Sequence, residues 1–137
     1  MGMLDNFKVI EVTKASEPSA VIIEDNKLRF TKSAIIELGY PPYVRLLLDD
    51  AGQRMAIQVA KGNESNVIKF SDDKEKQNTS ITFQNTVMVE LIRSVMPSWV
   101  KGTKYRAKGI LSKEDKAVVF DLKSAEAYQR FHKKDKD

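Results

Sequence analysis

The chain has 137 residues, of which 42% are apolar and 31% are charged, with one histidine and no cysteine. This composition is typical of one compact domain, and a chain of this length buries on the order of two-thirds of its unfolded surface. The lack of cysteine excludes thiol nucleophiles, thiolate metal sites and disulfides. Because the apolar runs are too short to cross a bilayer, we predict no membrane partner and a cytoplasmic location.

Positive charge is concentrated in the second half of the chain. The net charge is +4, but residues 1–68 carry 8 Lys and Arg against 9 Asp and Glu, whereas residues 69–137 carry 15 against 10. Between Leu91 and Lys113 there is no acid, and the cations there are Arg93, Lys101, Lys104, Arg106, Lys108 and Lys113. A field of this kind attracts polyanions such as nucleic acid, although a solvated face kept soluble by lysine has the same composition.

The first 40 residues are predicted to form short strands and one helix. β-Branched and apolar residues favour strands at 7–12, 20–24 and 28–30. The spacing of the next apolar residues predicts a short helix that begins at Ser33 and ends at Gly39, since two prolines follow.

A hairpin follows this helix. Alternating apolar residues predict strands at 43–48 and 55–59, joined by a turn at 49–52 in which a glycine offers positive φ. Residues 60–80 are mostly polar and are predicted to be a connector, with an apolar island from Val67 to Phe70.

The pattern then recurs in the same order. A shift of 53 residues aligns the strand at 28–30 and its helix with a strand and a longer helix that ends at Pro97. A second hairpin is predicted at 105–111 and 117–122, with a short helix capped by Ser124 after it. The predicted fold is α+β, mainly antiparallel β with short helices and two pseudo-repeated strand-helix-hairpin halves. It is a single domain, 1–137, divided into a first half 1–60, a polar connector 60–80, a second half 81–127 and a charged tail 132–137.

The sequence contains no pattern typical of a catalytic or cofactor site. The single histidine, His132, lies in the charged tail, and the adjacent carboxylates at 49–50 and 72–73 are typical of turns. No phosphate-loop, dinucleotide, zinc-protease or EF-hand spacing is present. We therefore predict no catalytic residue, no metal, no cofactor and no small-molecule substrate.

The candidate site is the basic stretch of the second hairpin. Lys104, Arg106 and Lys108 are spaced by two, so a strand projects all three from one face, where they can neutralise phosphates. The alternative is the ordinary wet face of an antiparallel sheet. Trp99 either packs in the core beside its apolar neighbours or stacks on an exposed base.

The first half also resembles a known family. The strand at 28–30, the helix from Ser33 to Gly39, and the hairpin with an acidic Gly turn and Met55-Ala56-Ile57 are similar to the AbrB/SpoVT-type swapped-hairpin module of bacterial transcription regulators. Two such modules in one chain resemble the MraZ arrangement. The resemblance implies a β-rich oligomer that binds DNA through basic residues, with Arg29 and Lys32 in the part of the motif where contacts are expected.

Together these observations predict a nucleic-acid-binding protein, specifically an AbrB-like bacterial DNA-binding transcription regulator that is a homo-oligomer. The expected contact residues are Arg93, Lys101, Lys104, Arg106, Lys108, Arg29 and Lys32. The alternative is a non-catalytic protein-protein interaction or scaffolding module, and an enzyme acting on a phosphorylated small molecule comes third.

Overall fold

The structure, a computed structural model, describes residue 3 and residues 5–7, 18–72 and 80–127. Its elements, in chain order, are β1 (Ala20–Ile23), β2 (Lys27–Phe30), α1 (Lys32–Leu38), β3 (Tyr43–Asp49), β4 (Arg54–Val59), β5 (Ile68–Lys69), β6 (Ile81–Gln84), α2 (Thr86–Ser94), β7 (Tyr105–Ser112), β8 (Ala117–Asp121), a 3₁₀ turn (Leu122–Ser124) and β9 (Glu126–Ala127). The expected strand at 7–12 and tail at 132–137 lie outside the described residues, except for Phe7 itself.

The strands form one curled antiparallel sheet in the order β5-β3-β4-β8-β7-β1-β2-β6, with β9 paired to β7. Curling brings the two ends of this order together. Phe70, directly after β5, stacks on Phe83 of β6 with ring centroids 6.0 Å apart and an interplanar angle of 23°. With two short helices beside the sheet, this is the mainly antiparallel α+β architecture that the sequence predicts.

The long strand β7 joins the two parts of the sheet. Its first residues pair with β1 and its last residues pair with β8. Where the partner changes, Gly109 faces inward, and a Cβ there would lie 2.6 Å from Val118 and 2.7 Å from Phe120. The glycine is therefore needed so that the Phe120 ring can lie against the strand.

Phenylalanine rings fill the centre of the curled sheet. Phe30 is fully buried, and its ring lies 5.7 Å from that of Phe70, 6.0 Å from Phe83 and 5.8 Å from Phe120. These rings come from β2, β6, β8 and the segment after β5, so the core closes only when both halves of the chain are present.

Both helices contribute one face to this core, with boundaries that differ slightly from those predicted. In helix α1 the N-cap position is Thr31 rather than Ser33, without a capping hydrogen bond from its side chain, and Gly39 ends the helix in the left-handed conformation at φ 81°. Helix α2 buries Val89 and Ile92, while Val87 and Leu91 are exposed. The apolar residues of α2 are thus divided between core and solvent, because only one side of the helix faces the sheet.

The turn of the first hairpin uses its glycine differently from the prediction. Gln53, not Gly52, has positive φ, at 54°. A Cβ at Gly52 would lie 2.4 Å from the Asp49 carboxylate that accepts its N–H, so a larger residue there would displace this exposed carboxylate. The glycine therefore favours the close approach of Asp49 rather than supplying the positive φ.

The apolar island within the predicted connector, Val67 to Phe70, contains β5 and places Phe70 in the core at 7% exposure. The expectation for Ser124 differs from the structure. Ser124 does not begin a helix: it ends the 3₁₀ turn, donates its hydroxyl to Asp121 at 2.9 Å, and is followed by β9.

Candidate nucleic-acid interface

Strand β7 separates its side chains between core and outer face. Tyr105 and Ala107 are buried, whereas Arg106 is partly exposed and Lys108 is exposed. Lys104 directly precedes the strand and is partly exposed. The alternation predicted from the spacing of the basic residues is thus the alternation of the folded strand.

Strand pairing extends this basic row across two neighbouring strands. Arg106 is in register with Ile22 of β1, and Ile22 is in register with Arg29 of β2. Residues in register share a face, so the two arginines lie on the outer side of the sheet two strands apart, a separation of about 10 Å. Ile22 between them is only 2% exposed, and Ala20, in register with Lys108, is fully buried, so this side is open to solvent at β7 and β2 but not over β1. Lys27 occupies the same face of β2, since its neighbour Leu28 is buried. We call the outer surfaces of β7 and β2, on either side of β1, the basic face; its cations are Lys104, Arg106, Lys108, Lys27 and Arg29.

Two carboxylates lie beside these cations. The Lys104 ammonium is 4.0 Å from Glu24, which follows β1. Glu126 of β9 is in register with Arg106 on its other side. Within the described ranges, Arg106 and Lys108 form no ion pair with either acid at 4.0 Å or less. The face therefore keeps a positive excess, reduced by two acids.

A shallow depression of about 340 Å³ opens beside β7 on this face. It is lined by Arg106, Lys108, Ile110, Asp121, Ser124 and Glu126. Cationic and anionic groups both reach it, so it is a feature of mixed charge at the border of the basic face.

Arg93 is taken up by contacts inside the protein. Its side chain is 14% exposed; it donates to the carbonyl oxygens of Val100 at 2.7 Å and Thr103 at 3.3 Å, and lies 3.6 Å from Asp25. These contacts fix the loop between α2 and β7 against the β1–β2 turn. Arg93 is therefore a positioning residue, not a free phosphate contact.

The aromatic residue beside this arginine has a packing role. Trp99 stacks on Tyr105 with centroids 4.3 Å apart, and the Arg93 guanidinium lies 5.7 Å from the Trp99 ring centroid. The structure thus favours the packed alternative for Trp99 over an exposed base-stacking platform.

The other predicted contacts lie apart from the basic face. Lys101 is exposed in the α2–β7 loop, in a depression of about 440 Å³ that it shares with Glu24, Asp25 and Glu90 among others. Lys32 is partly exposed at the start of α1. Lys27, absent from the predicted set, belongs to the face; the alternation of Leu28 and Phe30 already placed it on the same side as Arg29.

No family model, no curated protein and no solved structure matches this chain. Over the described parts of the chain, no helix is both long enough and apolar enough to span a membrane. The same residues contain no group of three or more acidic or histidine side chains arranged to hold a metal.

Proposed function

We propose that this protein binds the phosphate backbone of nucleic acid through its basic face and acts as a DNA-binding regulator. The observation that carries the proposal is the shared row of Arg106 and Arg29, which the register places on one face of two non-adjacent strands. Two arginines whose backbones lie about 10 Å apart, with Lys108 and Lys27 on the same strands, can contact phosphates of one nucleic-acid strand.

Salt-dependent binding of labelled DNA tests this proposal. The measurement is fluorescence anisotropy with a mixed-sequence duplex and with a single strand of the same sequence, over a range of salt concentrations. The test variant changes Arg29, Arg106 and Lys108 together to glutamine. The control variant changes three exposed lysines outside the basic face, Lys61, Lys69 and Lys113, to glutamine. Its net charge therefore equals that of the test variant.

The wild-type protein is expected to bind with a steep salt dependence, because phosphate contacts release counterions. The test variant should lose affinity, and its log–log salt slope should be smaller by about 2 to 3, whereas the control keeps most of both. Equal losses in the two variants would refute the assigned face, and no binding by the wild type at low salt would refute the function. Tighter binding to duplex than to single strand supports the regulator.

We also infer that the chain is a fused duplication of a β-β-α-β-β unit, so that β1 to β4 with α1 correspond to β5 to β8 with α2. This inference is supported by two pairings between equivalent strands, β2 with β6 and β4 with β8. Under the shift of 53, Arg29 corresponds to Thr82, and these two residues are in register with each other. An antiparallel pair centred on equivalent residues has local twofold symmetry.

The two hairpins, β3–β4 and β7–β8, are also related to each other, by a shift of 63 residues. Under this shift Ala56 corresponds to Val119, and these residues are again in register. Positive φ recurs at equivalent sites, Gly39 (81°) and Gly102 (89°), and Gln53 (54°) and Lys116 (53°). The shift grows by ten residues because the α2–β7 region, which holds Trp99, is longer than the corresponding region before β3.

An experimental structure would test the duplication. Residues 28–38 are expected to superimpose on 81–91, and residues 39–59 on 102–122, by one common rotation close to twofold. Two unrelated rotations would refute the duplication. Because the equivalents of Arg106 and Lys108 are Tyr43 and Arg45, only one copy carries the full basic row.

A further inference from the structure

An apolar row crosses the outer face of the sheet beside the basic face. Leu47 of β3, Ala56 of β4, Val119 of β8 and Ile110 of β7 are successive partners in the register. Their inward neighbours fill the core, so these four side chains point outward. Ile110 is 74% exposed and Leu47 is 42% exposed. Between them Val119 is partly exposed and Ala56 is 9% exposed, so the row presents two large exposed apolar side chains at its ends, a feature typical of an interaction surface.

A charged row runs parallel to it. Asp49, Arg54 and Asp121 are successive register partners on β3, β4 and β8. Lys108 is the next outward residue of β7, and it lines the same depression as Asp121. From β3 to β7 the signs therefore read negative, positive, negative, positive.

These two rows fit a second copy of the same chain. A twofold axis that runs along the strands between β4 and β8 reverses the strand order of the facing copy. Asp49 then faces Lys108 of the second copy and Arg54 faces its Asp121, while Leu47 faces its Ile110. Every facing charge is of opposite sign, and each large apolar side chain meets another. Asp49 and Arg54 also form an ion pair of 2.7 Å within each chain, so the facing charges extend an existing pair rather than satisfy free ones.

We propose that the protein forms a homodimer by face-to-face contact of these two rows. The outer face of a curled sheet is convex, so the contact is small and the dimer is weak, with dissociation in the micromolar range or above. The dimer contact shares Lys108 with the basic face, so the second copy and DNA compete for this residue, but dimer formation does not depend on DNA binding.

Cross-linking tests the geometry directly, because the chain has no cysteine of its own. Leu47→Cys and Ile110→Cys proteins are prepared separately and treated with a short bis-maleimide, alone and as a mixture. The mixture should give cross-linked dimer in clear excess over either protein alone, since like positions lie at opposite ends of a four-strand row, about 14 Å apart across it. Equal yields in all three samples would overturn the proposed axis.

The oligomeric state tests the interface. Sedimentation velocity over a concentration series should show wild-type dimer formation, and Ile110→Asn should raise the dissociation constant at least about tenfold. Val87→Asn, at a residue 72% exposed on α2, is the matched control and should not change it. A monomeric wild type up to about 1 mM, or equal effects of the two variants, would overturn the dimer. Ile110→Asn keeps every cation, so failure of the dimer leaves the DNA titration intact.

Discussion

Trp99 lies flat against Tyr105, with ring centroids 4.3 Å apart and planes 7° from parallel. The Tyr105 hydroxyl accepts a hydrogen bond of 2.7 Å from the backbone N–H of Val100. Tyr105 is in β7 and Trp99 is in the loop before it, so the stack attaches the loop to the sheet. Because the basic row begins with the residue before Tyr105, this packing also fixes where that row starts.

Replacement of Trp99 by alanine is expected to lower the free energy of unfolding by about 3 kcal/mol, since a large stacked ring is lost from a partly buried site. Trp99→Phe should recover more than half of this loss, because it keeps a ring against Tyr105. Urea unfolding followed by circular dichroism measures both. If Trp99→Ala kept full stability but bound single-stranded DNA more weakly, the ring would be a base-stacking platform instead.

Much of the fold could be predicted because its signals are local. The hairpins are specified by alternating apolar residues, and their observed strands, Tyr43–Asp49 with Arg54–Val59 and Tyr105–Ser112 with Ala117–Asp121, match the predicted ones closely. The prediction of a short helix beginning at Ser124 was wrong because of a tertiary contact. The segment after Ser124 pairs with β7 as β9, and a free strand edge outweighs the weak helix signal.

The candidate site was less predictable, because burial and neighbours come from distant parts of the chain. Counting charges cannot show that Arg93 is enclosed by the loop it holds, or that Glu24 reaches Lys104. Arg106 and Arg29 are 77 positions apart in the chain and are brought to one side of the sheet only because each is in register with Ile22 of β1. Local alternation could have identified Lys27, whereas the register could only come from the structure.

Phe70 provides a test of the connector. Its ring is 7% exposed and meets Phe30 edge-on at 5.7 Å, so we expect Phe70→Ala to cost about 3 to 4 kcal/mol of stability. The neighbouring Lys69→Ala, at an exposed side chain, should change stability by less than about 0.5 kcal/mol. Chemical denaturation of the two variants is the measurement. Similar small effects for both would mean that the connector does not take part in the core.

Asp49 predicts a defined dependence of stability on pH. The hydrogen bond from the Gly52 backbone N–H, followed by that from Arg54, lowers the pKa of Asp49 below its usual 3.8. A carboxyl group whose pKa is lower in the folded state stabilises the fold above its unfolded pKa, and this contribution is lost as the pH falls through the folded pKa.

Wild-type stability should therefore fall below about pH 5, and part of that fall should be absent in Asp49→Asn, which can still accept the Gly52 hydrogen bond. Thermal unfolding between neutral pH and pH 3 measures this, with Asp50→Asn as the control for the same charge change. The Asp50 side chain makes no hydrogen bond to any residue in the described ranges. If the stability difference between wild type and Asp49→Asn were the same at every pH, the lowered pKa would be refuted.

Removal of an acid beside the basic face should strengthen DNA binding. Glu126 is in register with Arg106, where its carboxylate repels an approaching phosphate and partly neutralises the guanidinium. We expect Glu126→Gln to raise the affinity for duplex DNA about two- to threefold at low salt, the size of one screened surface interaction. Glu114→Gln makes the same charge change at the exposed β7–β8 turn, some eight residues along the strand, and should have a smaller effect. Anisotropy titrations at two salt concentrations measure both affinities. If the interaction is local, the two variants differ in affinity and the difference shrinks as salt is added. Equal gains in affinity would show that only net charge matters and that DNA does not approach through this face.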